Sequence, residues 1–247
     1  MTPEQQRTIL PHGITDLARQ VAIWFGFLLL YQLARGVADR SPAAAFRNGL
    51  RVAGFERHVG SLFELSLQGF LNSSHVLIEL TSFTYWLSQF AILGLALLWV
   101  YLRRNEAFIR FRNTVLLANV LGLVGYVALP TAPPRMFPHL GFVDTLGAFS
   151  SVNHSSTAVQ LAANPYAAMP SLHAADALIV GVSLALIVKR PWAKALWLFW
   201  PAWVWFAVMA TGNHFWLDCV AGMAVALVAM GVVYRGPLHA ALAARRP

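Results

Sequence analysis

Hydrophobic residues fill 58% of the 247 positions, charged residues 11%, and the mean hydropathy is +0.59, a balance too apolar and charge-poor for an ordinary soluble domain. The net charge of +8 sits in arginines and lysines beside apolar runs rather than along a soluble basic face, which argues for membrane topology and headgroup contact and against nucleic acid as a partner. Cys219 is the only cysteine, so an internal disulfide is excluded and a buried, inert thiol is expected.

The polar stretch Met1 to Arg19 contains Glu4 and Asp16 and is not followed by a small-residue cleavage site, so the first apolar run, Leu17 to Val37, reads as a retained span. From Arg40 to Phe70, Phe46, Leu50, Phe55, Val59, Leu62, Phe63 and Leu67 recur at helical spacing with Arg47, Arg51, Arg57 and Glu64 between them. That pattern predicts an amphipathic helix lying in the interface, or one packed on the bundle. A second span is expected over Phe83 to Leu102 and a third over Asn113 to Leu129, joined by the basic connector Arg103 to Arg112. The segment Pro130 to Ala168 is rich in proline, glycine, serine and asparagine and reads as a long loop. A fourth span starts near Ser171 and stops before Lys189, a fifth covers Ala195 to Ala210, and a sixth Phe215 to Val233. The expected fold class is therefore all-α: one polytopic, membrane-embedded domain over residues 1–247, a six-helix transmembrane bundle with an interfacial helix and a long extracytoplasmic loop. Parity places the basic connectors with the amino terminus, which the positive-inside tendency makes cytoplasmic. Arg135, His173 and the His214 to Asp218 segment then fall on the external face. A compact chain of this kind fits a bacterial inner membrane.

Titratable side chains beside lipid are costly, so their presence there points to function. His214 and Asp218 stand four apart at the start of the sixth span, one helix face, where the carboxylate can fix one imidazole tautomer and leave the other nitrogen as nucleophile or base. The same spacing also describes a local cap. Ser171 follows Pro170 as an expected N-cap with His173 in the first turn, so backbone N–H groups would face an anion; any capped helix with an interfacial histidine looks alike. Asp176, three residues on, either orients His173 or packs against another helix. Arg135, the only arginine or lysine of the loop, is held by Pro133 and Pro134 as a fork for phosphate oxygens or lipid headgroups.

Pro170, Ser171 and His173, followed by Gly212, His214 and Asp218, resemble the later motifs of the type 2 phosphatidic acid phosphatase superfamily, and the six-span layout agrees over most of the chain. The proline-rich run Pro130 to Arg135 and the Thr211-Gly212-Asn213-His214 run are similar in particular to the branch that includes inositol phosphorylceramide synthases. The resemblance implies a lipid phosphatase acting on a phosphate monoester or pyrophosphate, with head-group phosphotransfer as the alternative; a proton-coupled transporter is a distant one. It implies catalytic roles for His214 as nucleophile, Asp218 as its brace and His173 as acid and base, with Arg135, Ser171 and Asn213 on the substrate, and neither metal nor cofactor. The chain departs from the broad family at Ala128, where a lysine is usual, at Met136 after the arginine, and at Ala207-Val208 ahead of the final histidine. Arg47, Arg51, Arg57, His139 and His154 are the candidates to replace those cations.

Overall fold

The computed structural model describes residues 10–38, 41–149 and 166–243, all of them helical or irregular apart from one isolated bridge. Helix α1 covers Gly13–Ala38, α2 Pro42–His58, α3 Glu64–Asn72, α4 His75–Leu87, α5 Leu93–Arg103, α6 Asn105–Ala128, α7 Thr145–Phe149, α8 Leu172–Ile187, α9 Pro191–Ala210 and α10 Trp216–Ala243. A single π-helical turn, Ser88–Ile92, joins α4 to α5 without a break, so the second span is one apolar rod from His75 to Arg103.

Five of these segments are long and apolar enough to cross a membrane: Gly13–Tyr31, His75–Arg103, Asn105–Ala128, Pro191–Ala210 and Trp216–Arg235. The expected fourth span is the exception, since α8 has 16 residues. At 1.5 Å per residue it is roughly 24 Å long against a hydrocarbon core of about 30 Å. It is also the most enclosed element, packed on α6, α9 and α10. The connector expected over Arg103 to Arg112 shrinks to a break at Arg104, because Asn105 donates its side-chain amide to Tyr101 O at 3.2 Å and the polar residues after it form the first turns of α6. His12 meets the Asn105 side chain at 2.7 Å and Tyr101 donates to Asp16 at 2.9 Å, which ties the start of α1 to that same end of the bundle.

The expected interfacial helix is two helices, α2 and α3, separated at residues 59–63. Phe46, Leu50, Phe55, Val59 and Phe63 are exposed, as a face turned to lipid would be, while the opposite stripe of Ala45, Gly49, Val52, Ala53 and Glu56 is buried. Its small residues let α2 lie on the proline-rich segment: a Cβ at Gly49 would stand 2.6 Å from Ala132 O, and Ala132 N–H donates to Ala45 O at 3.0 Å. The two ends of the long loop are pinned together where Thr131 N–H donates to Tyr166 O at 2.8 Å and Ala168 N–H to Thr131 O at 3.1 Å. Between them lie two 3-10 turns, Pro134–Met136 and Pro138–Leu140, and α7; His154 falls outside the described residues.

Candidate active site

The turn between α9 and α10 supplies His214. Gly212 takes the left-handed backbone (φ 72°) that turns the chain back on itself, a conformation costly for a residue with a Cβ. Asn213 N–H and His214 N–H then both donate to Val208 O at 3.0 Å, and the Thr211 hydroxyl donates to Ala207 O at 2.7 Å. Arg135 fastens the turn from outside, with its backbone N–H on Gly212 O at 2.8 Å and Nη1 on Asn213 Oδ1 at 2.7 Å. His214 is 4% exposed and stands in the turn two residues ahead of α10, not on its face as the spacing suggested; its Nδ1 still faces Asp218 Oδ2 in the first turn of α10 at 3.5 Å. That distance is an electrostatic contact, longer than a tight hydrogen bond. Asp218 Oδ2 is held in place by Phe215 N–H at 2.9 Å.

His173 comes from the first turn of α8. Ser171 caps this helix, its hydroxyl accepting from Ala174 N–H at 3.3 Å, while Ser171 N–H donates to Asp218 O at 2.9 Å and so ties the two motifs together. The approach is close because Gly222 faces Ser171; a Cβ there would collide with the Ser171 carbonyl. The His173 ring stacks on Tyr85 with centroids 4.4 Å apart and planes 19° off parallel, and the Tyr85 carbonyl accepts from the imidazole. His173 and His214 meet with ring centroids 5.7 Å apart and planes inclined by 58°.

Both histidines open on one cavity of about 120 Å³ that also takes in Arg135, Asn213, Asn119, Asp176, Gln89 and a rim of aromatic side chains from α1 and α4. Below His173, Asn119 Nδ2 donates to Asp176 Oδ1 at 2.9 Å, and Asp176 Oδ2, buried, has no hydrogen-bond partner among the described residues. Two imidazoles, one braced by a carboxylate, beside a guanidinium and a side-chain amide can do nucleophilic and acid–base chemistry on an anion.

The sequence profile of the PAP2 superfamily matches residues 50–232, a stretch that contains both histidines, Asp218 and Arg135. The chain belongs to the PAP2 superfamily. That superfamily is one of membrane lipid phosphatases and phosphotransferases. It is 30% identical over 156 residues to a phosphoinositol dihydroceramide synthase of Bacteroides thetaiotaomicron, a match covering 58% of this chain and 50% of that protein. The chain thus matches about half the length of its curated relative. No solved structure matches.

In this PAP2 chain the sequence-derived candidates converge: His173, His214, Asn213 and Arg135 all line the cavity and Asp218 stands directly behind His214. Ser171 is elsewhere. Its hydroxyl is fully buried in the helix cap and does not line the cavity. Among the described residues the cavity holds Arg135 and no other arginine or lysine. Arg47, Arg51 and Arg57 point outward on α2, and His139 is exposed with its ring edge-on to Phe137. Sequence reasoning passed over Tyr85, Asn119 and, above all, Glu56 and Glu64. Those two carboxyls are 0% exposed and accept the first backbone N–H groups of α10. The one available signal was Glu56 in register with the small apolar residues Ala45, Gly49 and Val52; Glu64 had none.

Proposed function

We propose that this protein cleaves a lipid phosphoester through a phosphohistidine on His214. The observation that carries the reading is a buried imidazole with Nδ1 turned to Asp218 that lines a cavity shared with His173. Asp218 selects the tautomer that leaves Nε2 with a free lone pair. Nε2 attacks phosphorus, the bond from phosphorus to the lipid oxygen breaks, and His173 gives its proton to that oxygen. In the second step His173 takes a proton from the incoming hydroxyl, whose oxygen displaces the histidine nitrogen. Arg135, held by Asn213, balances charge on the phosphoryl oxygens.

A second reading is carried by Asp176. A hydrolase needs only water at this point, yet the cavity extends below His173 to a buried carboxyl oxygen without a partner. A hydroxyl donates to that oxygen when it is ionised and accepts from it when it is protonated. This favours transfer of the phosphoryl-bearing group to an alcohol acceptor, a reading in keeping with the similarity to a protein named a phosphoinositol dihydroceramide synthase. The cavity opens among apolar and aromatic side chains of α1 and α4, which supports lateral entry of the lipid. The basic helix ends lie away from the site, which supports an active site on the outer face of the plasma membrane.

The test is purified protein in detergent with a panel of lipid phosphate monoesters, pyrophosphates and phosphodiesters, with free phosphate and new lipid both measured. Phosphate alone means hydrolysis, and a new phospholipid in the presence of an alcohol acceptor means transfer. Rapid quench with radiolabelled substrate is expected to trap an acid-labile, alkali-stable phosphoprotein that His214→Ala lacks. Normal turnover by His214→Ala sinks the reading. A chelator is expected to leave the rate unchanged.

A further inference from the structure

We propose that Glu56 and Glu64 form a proton-sharing carboxyl pair that positions His214 by holding the first turn of α10, and this rests on His214 being the nucleophile. Helix α10 begins at Trp216, two residues after His214. Its first N–H groups have no partner within the helix. Glu64 Oε1 accepts from Trp216 N–H at 2.6 Å and Glu56 Oε1 from Leu217 N–H at 3.0 Å. Both acceptors arrive from helices more than 150 residues earlier in the chain (|i−j| of 152 and 161). Ser61 adds an anchor by accepting from the Trp216 indole at 3.1 Å. Together with the Phe215 N–H bond to Asp218, three consecutive backbone amides end on three carboxyls. Any slip of this turn moves His214 and Asp218 together, because both hang from it.

The pair is more than a cap, since a cap needs one carboxylate and this site holds two, side by side and fully buried. Among the described residues their Oε2 atoms have no hydrogen-bond partner, and the two carboxyls lie within hydrogen-bonding reach of each other. Two buried charges at contact are prohibitive, whereas a single shared proton turns the repulsion into a hydrogen bond. Burial first, and then the Glu64 charge, pushes the Glu56 carboxyl up to about 9, and burial raises Glu64 as well. The groups facing the pair from α10 are Asp218 and the Cys219 thiol. Below that range the pair carries one proton and one negative charge, suited to the positive end of a helix. As pH rises through it, a third carboxylate charge appears beside Asp218 and the turn loosens.

The experiment uses the full chain in detergent and compares Glu56→Gln, which keeps a permanent donor to Glu64, with the double variant Glu56→Ala/Glu64→Ala. The unaltered protein is expected to lose kcat at alkaline pH, and Glu56→Gln to retain kcat and KM at neutral pH within about threefold and to lack that alkaline fall. The double variant is expected to lose about a hundredfold in kcat with KM little changed, as for a misplaced nucleophile. Deuterium exchange of the backbone amides at 215–219 is expected to quicken about tenfold in the double variant and to stay unchanged in Glu56→Gln. An alkaline fall that persists in Glu56→Gln overturns the proposal, as do normal kcat and exchange in the double variant. If the double variant does not fold, the pH profile of Glu56→Gln still decides. If the unaltered protein turns over no lipid phosphoester, the proposed function falls, while the exchange data still decide whether the pair holds the turn.

Discussion

Asp218 and His214 differ in what their loss removes. Asp218→Asn keeps the Phe215 contact but no longer stabilises charge on the imidazole, so kcat should fall about 10²- to 10⁴-fold in the lipid phosphatase assay. On the proposed mechanism His214→Ala removes the attacking atom and should leave no phosphoenzyme. Ser171 tests whether a motif residue touches substrate or structure. With its hydroxyl in the α8 cap, Ser171→Ala should cost about 1 kcal/mol of stability, read as a lower Tm in detergent, with KM unchanged. A large rise in KM would instead place that hydroxyl on the phosphate. At this scale the sequence was legible where short spacing brings residues together, as for His214 and Asp218, although His214 sits in the turn before α10 and not on the helix face that the spacing suggested. It was silent on Glu56 and Glu64, whose partners lie on α10, eight and seven helices later in the chain, and no local spacing encodes such a contact.

Among the elements, α8 sets the distance between the two histidines, and small residues allow its depth in the bundle. Gly222 on α10 admits the Ser171 carbonyl, and Gly122 and Gly125 on α6 admit Leu172 and Pro170. Gly222→Ala should push α10 from α8 and destabilise by about 1–3 kcal/mol, with a fall in kcat out of proportion because both motifs meet at that contact. Thermal unfolding beside steady-state kinetics measures both. The π turn Ser88–Ile92 has a related role, bringing Tyr85, Trp86, Gln89 and Phe90 together onto the cavity wall. Periodicity showed α2 and α3 as apolar and helical, yet Phe46, Leu50, Phe55, Val59 and Phe63 face outward, while Leu62 and Leu67 pack inward. The protein-facing side is the small-residue stripe that ends in Glu56, because without water the lipid-facing surface is the more apolar one.

For the molecule as a whole, orientation is the testable property. The site lies at one end of the bundle, while Arg103, Arg104, Lys189, Arg190 and Arg235 lie at the ends of α5, α8 and the last turn of the final span; Arg47, Arg51 and Arg57 of α2 stay on the site's side. An exposed position beside the site, Val143, reports the topology when changed to cysteine, since Cys219 is buried and gives little background. In intact cells or right-side-out vesicles, Val143→Cys should react with a membrane-impermeant maleimide. Labelling only after permeabilisation would reverse the orientation.

What the sequence by itself determined was membrane residence, an all-helical architecture, the order of the apolar segments and the pairs of residues one helical turn apart, because each depends on composition or on a periodicity inside one segment. Only the tertiary structure decided that α8 is too short to span alone and is enclosed by α6, α9 and α10. It likewise decided that His173 stacks on Tyr85 and that two distant glutamates end on the helix that follows His214. Those are contacts between segments far apart in the chain, and they follow from how small residues let helices approach and how buried N–H groups must find acceptors.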